Sequence, residues 1–127
     1  MPLIESFLSN KYSAQQKNII ARDVYDCLRD VLNVKAGAKF VYFKTFSDDD
    51  MFVPDELFGI KYSRNLVLLR ITLNKGRSQT DKKKLYEKLS VTLAAHLGIA
   101  PGDVLVCLME NVAENWSFGE GRMPFLE

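Results

Sequence analysis

Pro2, at the start of the apolar run that opens the chain, has the clearest chemical potential in the sequence. Removal of Met1 in front of this small residue is expected, and it would leave a free secondary amine on a rigid strand. An α-amino group titrates at about pH 8, and apolar burial or nearby cations disfavour its charged form. Such a base suits proton transfer near neutral pH. The alternative is that Pro2 is merely tolerated at the first position of a strand.

Two helices are predicted downstream, and each begins after a serine. Ser13 is followed three residues later by Gln16, which is the capping-box pattern, and apolar residues then recur at spacings of three and four. Ser78 precedes the second helix, and Gly98 is predicted to end it. Both helices should therefore cover a sheet with one apolar face.

Four segments are predicted to be strands because they are rich in apolar, aromatic and β-branched residues. They lie at residues 2–8, 40–46, 65–73 and 103–109. The third is almost continuously apolar, which is typical of a strand covered on both faces. Residues 47–64 are expected to be irregular, and their three consecutive aspartates lack the spacing and the glycine of a calcium loop.

The two halves of the sequence match each other at a shift of 65 residues. The shift places Leu3 on Leu68, Ser13 on Ser78, Leu28 on Leu93 and Gly37 on Gly102. The chain is therefore predicted to be a single domain, residues 1–127, built from tandem β-α-β units at 2–64 and 65–127. Right-handed crossovers make the strands within each unit parallel. This predicts an α/β (α+β) fold: a four-stranded mixed sheet, two helices on one face, and an open apolar face that favours oligomers.

Composition is typical of a soluble domain, with 127 residues, 47% hydrophobic residues and a formal net charge of +1. The near-zero charge gives no electrostatic reason to expect nucleic acid binding. The apolar runs are too short to span a membrane, and without a signal-peptide pattern a cytoplasmic location is expected. Cys27 and Cys107 are predicted to be buried thiols. With a lone His96, no metal site is expected, and no cofactor is expected either.

The chain resembles the tautomerase superfamily, whose members are built from β-α-β units and begin with a catalytic proline. The resemblance is carried by Pro2, the 65-residue repeat, the turn Lys75-Gly76-Arg77-Ser78 and the C-terminal run at 110–122, with its Trp-Ser-Phe-Gly-x-Gly core. That run is most similar to the branch of malonate semialdehyde decarboxylase. The resemblance implies a tautomerase (MIF-like) fold and a homotrimer.

The resemblance also implies roles for individual residues. Pro2 would be the catalytic acid and base, and Arg77 would hold the carboxylate of the substrate with its planar guanidinium. Lys75 stands where the decarboxylase branch has a second arginine, so it would assist Arg77. The residues expected to form an apolar wall around the proline are Trp116, Phe118 and Phe125.

The predicted function is keto–enol interconversion of a small carboxylate, a 2-oxo acid of the phenylpyruvate type. The alternative within enzymes is decarboxylation of a 3-oxo acid such as malonate semialdehyde. Ala38 argues against it, because it stands where the decarboxylases carry an acidic residue. A second alternative is a non-catalytic trimeric binding module, since a fold alone does not define an activity.

Overall fold

The structure is a computed structural model that describes residues 2–127, so Met1 and its expected removal lie outside the described residues. The elements in chain order are β1 (Leu3–Ser9), α1 (Ala14–Leu32), β2 (Phe40–Phe46), β3 (Glu56–Leu57), β4 (Ile60–Lys61), β5 (Val67–Asn74), α2 (Gln79–Leu97) and β6 (Val104–Asn111). Four strands form one sheet in the order β2-β1-β5-β6. β1 is parallel to β2, β5 is parallel to β6, and the two central strands are antiparallel. The predicted fold class is confirmed.

The two helices begin where their capping residues predict. Ser13 accepts a hydrogen bond from the backbone N–H of Gln16 at 3.1 Å, and the Gln16 side chain accepts one from the N–H of Ser13 at 2.8 Å. Ser78 accepts from the N–H of Asp81 at 3.1 Å. Gly98 ends α2 in the left-handed region with a φ of 68°, where glycine carries no steric penalty. Local sequence chemistry therefore defines both helix starts.

The core lies between the helices and one face of the sheet. Strand side chains alternate between faces, so every second residue of β1 and β5 points toward the helices. Fully buried side chains include Ile4, Leu8, Ile20, Leu28, Leu69, Ile71, Leu85, Leu89 and Leu93. Burial of a side chain of this size contributes about 1.5–3 kcal/mol. The core thereby fixes the sheet edge from which the candidate site is built.

No helix within residues 2–127 is long and apolar enough to cross a membrane.

Residues 65 positions apart meet in the middle of the structure. Arg70 donates two hydrogen bonds of 2.9 Å to the carboxylate of Glu5, 65 residues away. Between the helices, the Cys27 thiol lies 3.9 Å from the Thr92 hydroxyl, again across 65 residues. Equivalent residues of two units contact each other only at the axis that relates the units. These contacts therefore mark a pseudo-twofold axis through the sheet and the helix pair.

The sheet face away from the helices is open, and its centre is more polar than predicted. The Glu5–Arg70 ion pair lies there in a row that also contains Tyr42 on β2 and Cys107 on β6. Cys107 is exposed, so its predicted burial is wrong, whereas Cys27 is buried as predicted. The error arises because β6 is an edge strand and alternates between the core face and the open face.

Candidate functional site

The start of β1 lies at the same sheet edge as the ends of β5 and β6. Leu3 pairs with Thr72 of β5 on one side and with Phe40 of β2 on the other. β6 runs parallel to β5 along the whole of both strands. The loops that follow β5 and β6 therefore begin at the edge where Pro2 lies.

Pro2 is buried in the wall of a cavity of about 310 Å³, called here the Pro2 cavity. The rings of Trp116 and Phe118 stack in parallel, with centroids 5.3 Å apart and planes 8° from each other. Phe125 meets both rings edge-on, with centroid distances of 6.4 Å and 5.5 Å. These three side chains are called the aromatic wall. The cavity is lined by Pro2, Leu3, Phe40, Asn115, Trp116, Ser117 and Phe118.

The structure therefore brings Pro2 together with two of the predicted wall residues, while Phe125 supports their rings from outside the lining. Phe40, which the sequence did not single out, stacks on Phe118 with centroids 6.3 Å apart. Among the described residues, none of the side chains that line the Pro2 cavity carries a charge. Such surroundings disfavour a charged amine and favour the flat apolar part of a ligand.

The loop after β5 forms a cationic turn, defined as Lys75, Gly76 and Arg77. Gly76 has a φ of 127°, which favours glycine and reverses the chain before α2. Arg77 is half-buried, and its Nη1 donates to the backbone carbonyl of Asn74 at 2.8 Å. Lys75 is exposed, and only its backbone N–H is tied down, by the Asn111 carbonyl at 2.8 Å. Neither cation lines the Pro2 cavity itself.

Glu110, near the end of β6, lies beside this turn and pairs with a lysine of α2. Lys82 lies 2.9 Å from its carboxylate. The ion pair with Lys82 is the main reason why the pKa of Glu110 is below its usual range, and a hydrogen bond from the Gly76 backbone and the charge of Lys75 add to the effect. The carboxylate is therefore ionised near neutral pH, where it pairs with Lys82 at the start of α2.

Asn74 connects the cationic turn to the aromatic wall. Its side-chain Oδ1 accepts a hydrogen bond of 2.7 Å from Nε1 of Trp116, while its backbone carbonyl accepts from Arg77. The sequence did not single out this residue. A polar side chain at the end of an apolar strand was the one feature of the sequence that could have pointed to Asn74. Only the fold shows which groups it joins.

Ala38, the residue used against decarboxylation, is buried with 1% exposure. Its N–H donates to the Lys35 carbonyl at 3.1 Å, and its methyl group has no proton-transfer chemistry. Within residues 2–127, no cluster of three or more His, Cys, Asp or Glu side chains is arranged to hold a metal ion.

Paired β-α-β units, with a proline opening β1 beside an aromatic cavity, define a tautomerase-type protein. The family model described as "Tautomerase enzyme" matches residues 38–119, and the chain therefore belongs to the tautomerase superfamily. Two Bacillus subtilis (strain 168) proteins are related to it. The probable tautomerase YusQ is 24% identical over 127 residues, the full length of both chains. The probable tautomerase YrdN is 37% identical over 79 residues, which cover 62% of this chain and 60% of YrdN.

Solved structures extend the comparison. Malonate semialdehyde decarboxylase superposes with a TM-score of 0.90 at 29% identity, covering 98% of this chain and 95% of that one. A fused 4-OT, described as an asymmetric trimer, superposes with a TM-score of 0.77 at 18% identity, covering 98% of each chain. The second likeness shows a shared fold alone, whereas the first combines the shared fold with a higher sequence identity over the same 98% of this chain.

Proposed function

We propose that this chain is a tautomerase that interconverts the keto and enol forms of a 2-oxo acid, with the N-terminal amine of Pro2 as acid and base. The observation that carries the proposal is the burial of Pro2 in an uncharged aromatic cavity beside a turn that holds a half-buried arginine. The proposal requires that Met1 is removed, because the nitrogen of Pro2 is otherwise a non-basic amide.

The chemistry is a proton transfer between oxygen and carbon. In the ketonisation direction, the neutral amine takes the proton of the enol hydroxyl, and the resulting ammonium delivers a proton to C3. The electron pair of the O–H bond becomes the C2=O π bond, the π electrons of C2=C3 form the new C3–H bond, and the amine returns to its starting state. An α-amino group ordinarily titrates at about pH 8, and apolar surroundings disfavour its charged form, so a free amine at this position would suit both half-steps.

Arg77 would bind the carboxylate of the substrate, and Lys75 would add a weaker, more mobile charge. A guanidinium offers five N–H donors in a planar fork, and only Nη1 of Arg77 is engaged by the Asn74 carbonyl. The same cations would stabilise the negative charge that develops on the enolate oxygen. The aromatic wall would contact the other end of the substrate, which favours an aryl group over a hydrogen.

We also propose that the working form is a homotrimer. The open sheet face carries exposed or half-exposed aromatic rings, among them Tyr42 and Phe40, around its central ion pair. The fused 4-OT of the same fold is described as a trimer. A second copy is therefore the expected cover for part of this face.

The experiment is ketonisation of phenylenolpyruvate by protein whose Met1 removal has been verified by mass spectrometry. Replacing Pro2 should lower kcat by about 10²–10⁴-fold, the usual contribution of acid–base catalysis. Pro2→Ala leaves a primary amine, so a second variant is needed in which an added residue stays attached to Pro2 and removes the base. Full activity in that blocked variant would overturn the mechanism.

Decarboxylation of a 3-oxo acid is the second candidate, and the likeness to malonate semialdehyde decarboxylase at 29% identity favours it. The buried Ala38 and the absence of a carboxylate among the lining residues disfavour it. Carbon dioxide release from malonate semialdehyde, measured for the wild type and for Ala38→Asp, separates the two. A wild-type rate above its ketonisation rate would place decarboxylation first.

A further inference from the structure

Asn74, the last residue of β5, is bonded to both halves of the proposed site. Its amide oxygen accepts from the indole N–H of Trp116 at 2.7 Å, and its backbone carbonyl accepts from Arg77 at 2.8 Å. The two bonds use different parts of the residue. A side-chain substitution therefore removes the first bond and leaves the acceptor of the second in place.

The indole bond is important because the segment after β6 has little regular structure to hold it. Residues 112–127 contain only two short 3₁₀ turns, Ala113–Asn115 and Pro124–Leu126. An indole has one donor and no acceptor, so the orientation of Trp116 depends on where that N–H finds a partner. Within the described residues, Asn74 is the hydrogen-bond partner of that N–H.

The orientation of Trp116 affects the whole aromatic wall. Phe118 stacks on its ring at 5.3 Å, and Phe125 packs edge-on against both rings. A rotated indole would displace these rings and change the shape of the Pro2 cavity, which Trp116 and Phe118 line. The position of Pro2 on β1 would be unaffected, because the strand pairing holds it.

We propose that Asn74 is a positioning residue that orients Trp116 through its side-chain amide and thereby tunes the site for an aryl substituent on the 2-oxo acid. This inference rests on the proposed function, and it goes beyond it by assigning selectivity to a residue outside the cavity lining. The bond should matter more for phenylpyruvate, which reaches the wall, than for pyruvate, which is too short to do so.

The test compares Asn74→Leu, which has a similar shape but no acceptor, with Asn74→Asp, which keeps the acceptor oxygen. Exchange of the C3 hydrogens in D₂O, followed by NMR, measures turnover of phenylpyruvate and pyruvate in one assay. For Asn74→Leu, kcat/KM for phenylpyruvate should fall about 5- to 10-fold more than for pyruvate, as expected for one lost hydrogen bond. The change should be mainly in KM, and Asn74→Asp should recover most of the discrimination.

A second readout does not require turnover. Trp116 is the single tryptophan of the chain, so fluorescence excited at wavelengths that the five tyrosines do not absorb reports on this ring alone. Asn74→Leu should shift its emission, raise its quenching by acrylamide and weaken the fluorescence response to phenylacetate, while Asn74→Asp should resemble the wild type. This measurement tests the hydrogen bond between Asn74 and Trp116 even if the wild type exchanges no substrate hydrogen. The inference about Asn74 can therefore fail separately from the proposed function.

Trp116→Phe removes the donor and keeps an aromatic ring, so it tests the same bond if Asn74→Leu does not fold. It should show a similar loss of discrimination, and adding Asn74→Leu to it should have little further effect. Unchanged fluorescence in Asn74→Leu would overturn the proposal. An equal loss for both substrates would also overturn it.

Discussion

Replacing Arg77 by alanine should lower kcat/KM for a 2-oxo acid far more than replacing Lys75. Arg77 is half-buried and already oriented by the Asn74 carbonyl, so little freedom is lost when it binds a carboxylate. A hydrogen bond to a charged group contributes about 1.5–3 kcal/mol, which corresponds to about 10- to 150-fold. Lys75 is exposed, and exposed ion pairs contribute about 0–1 kcal/mol, or about fivefold at most. Arg77→Lys keeps the charge without the planar fork, so its loss of kcat/KM should lie between those of Arg77→Ala and Lys75→Ala.

The assay is the initial rate of phenylenolpyruvate ketonisation as a function of substrate concentration, run side by side for the three variants and the wild type. The loss in Arg77→Ala should appear in KM, because the carboxylate carries the same charge in the ground state and the transition state, and also in kcat, because the charge on the enolate oxygen develops only in the transition state. Lys75→Ala is the matched control for loss of one positive charge at the same turn. Equal losses in Lys75→Ala and Arg77→Ala would refute the assignment of the carboxylate to the guanidinium.

Two further predictions concern the open sheet face. The hydrogen bonds and charge of Arg70 hold the pKa of Glu5 below 4.5, so this pair adds stability above about pH 4.5 that is lost as the pH falls through the lowered pKa. In urea unfolding between pH 3 and 7, the free energy of unfolding of Glu5→Gln should therefore fall less toward acid than that of the wild type. Identical pH slopes for the two proteins would contradict this. Sedimentation equilibrium should give a mass about three times the 14.5 kDa of one chain, and a mass of one chain at micromolar concentration would contradict the trimer.

Much of the fold follows from local patterns in the sequence, and the exceptions have a physical cause. The second strand was predicted at 40–46 and is found there, because all of its residues except Lys44 are aromatic or β-branched. The β3–β4 hairpin within 47–64 was missed. Its turn residues Phe58 and Gly59 both have positive φ, of 53° and 79°. Hairpins usually place Asn-Gly or Asp-Gly there, and a phenylalanine at the first position conceals the turn.

The candidate site could be proposed from the sequence where the residue type itself would carry the chemistry, as with Pro2 and Arg77, whose roles stay predictions. The site was not predictable where strand register decides which side chains meet. Phe40 reaches the cavity because β2 pairs with the first residue of β1, and Asn74 reaches Trp116 because β5 ends at that same edge. Register depends on contacts between segments far apart in the chain, and periodicity within one segment does not reveal it.

The two β-α-β units lead us to expect one reaction site per chain. At the 65-residue shift, the residue equivalent to Pro2 is Val67, which is fully buried within the chain and has only an amide nitrogen. The residues equivalent to the two cations of the turn are Asn10 and Tyr12. Burial raises the pKa of Tyr12 to about 12, and its hydroxyl donates to the Asn65 carbonyl, so it stays neutral. In the proposed mechanism, the first unit would therefore contribute the amine, and the second would contribute the cationic turn and the aromatic wall. Among the described residues, the pseudo-twofold axis then relates two edges of the sheet, and only the edge at Pro2 has the groups that the proposed proton transfer would use.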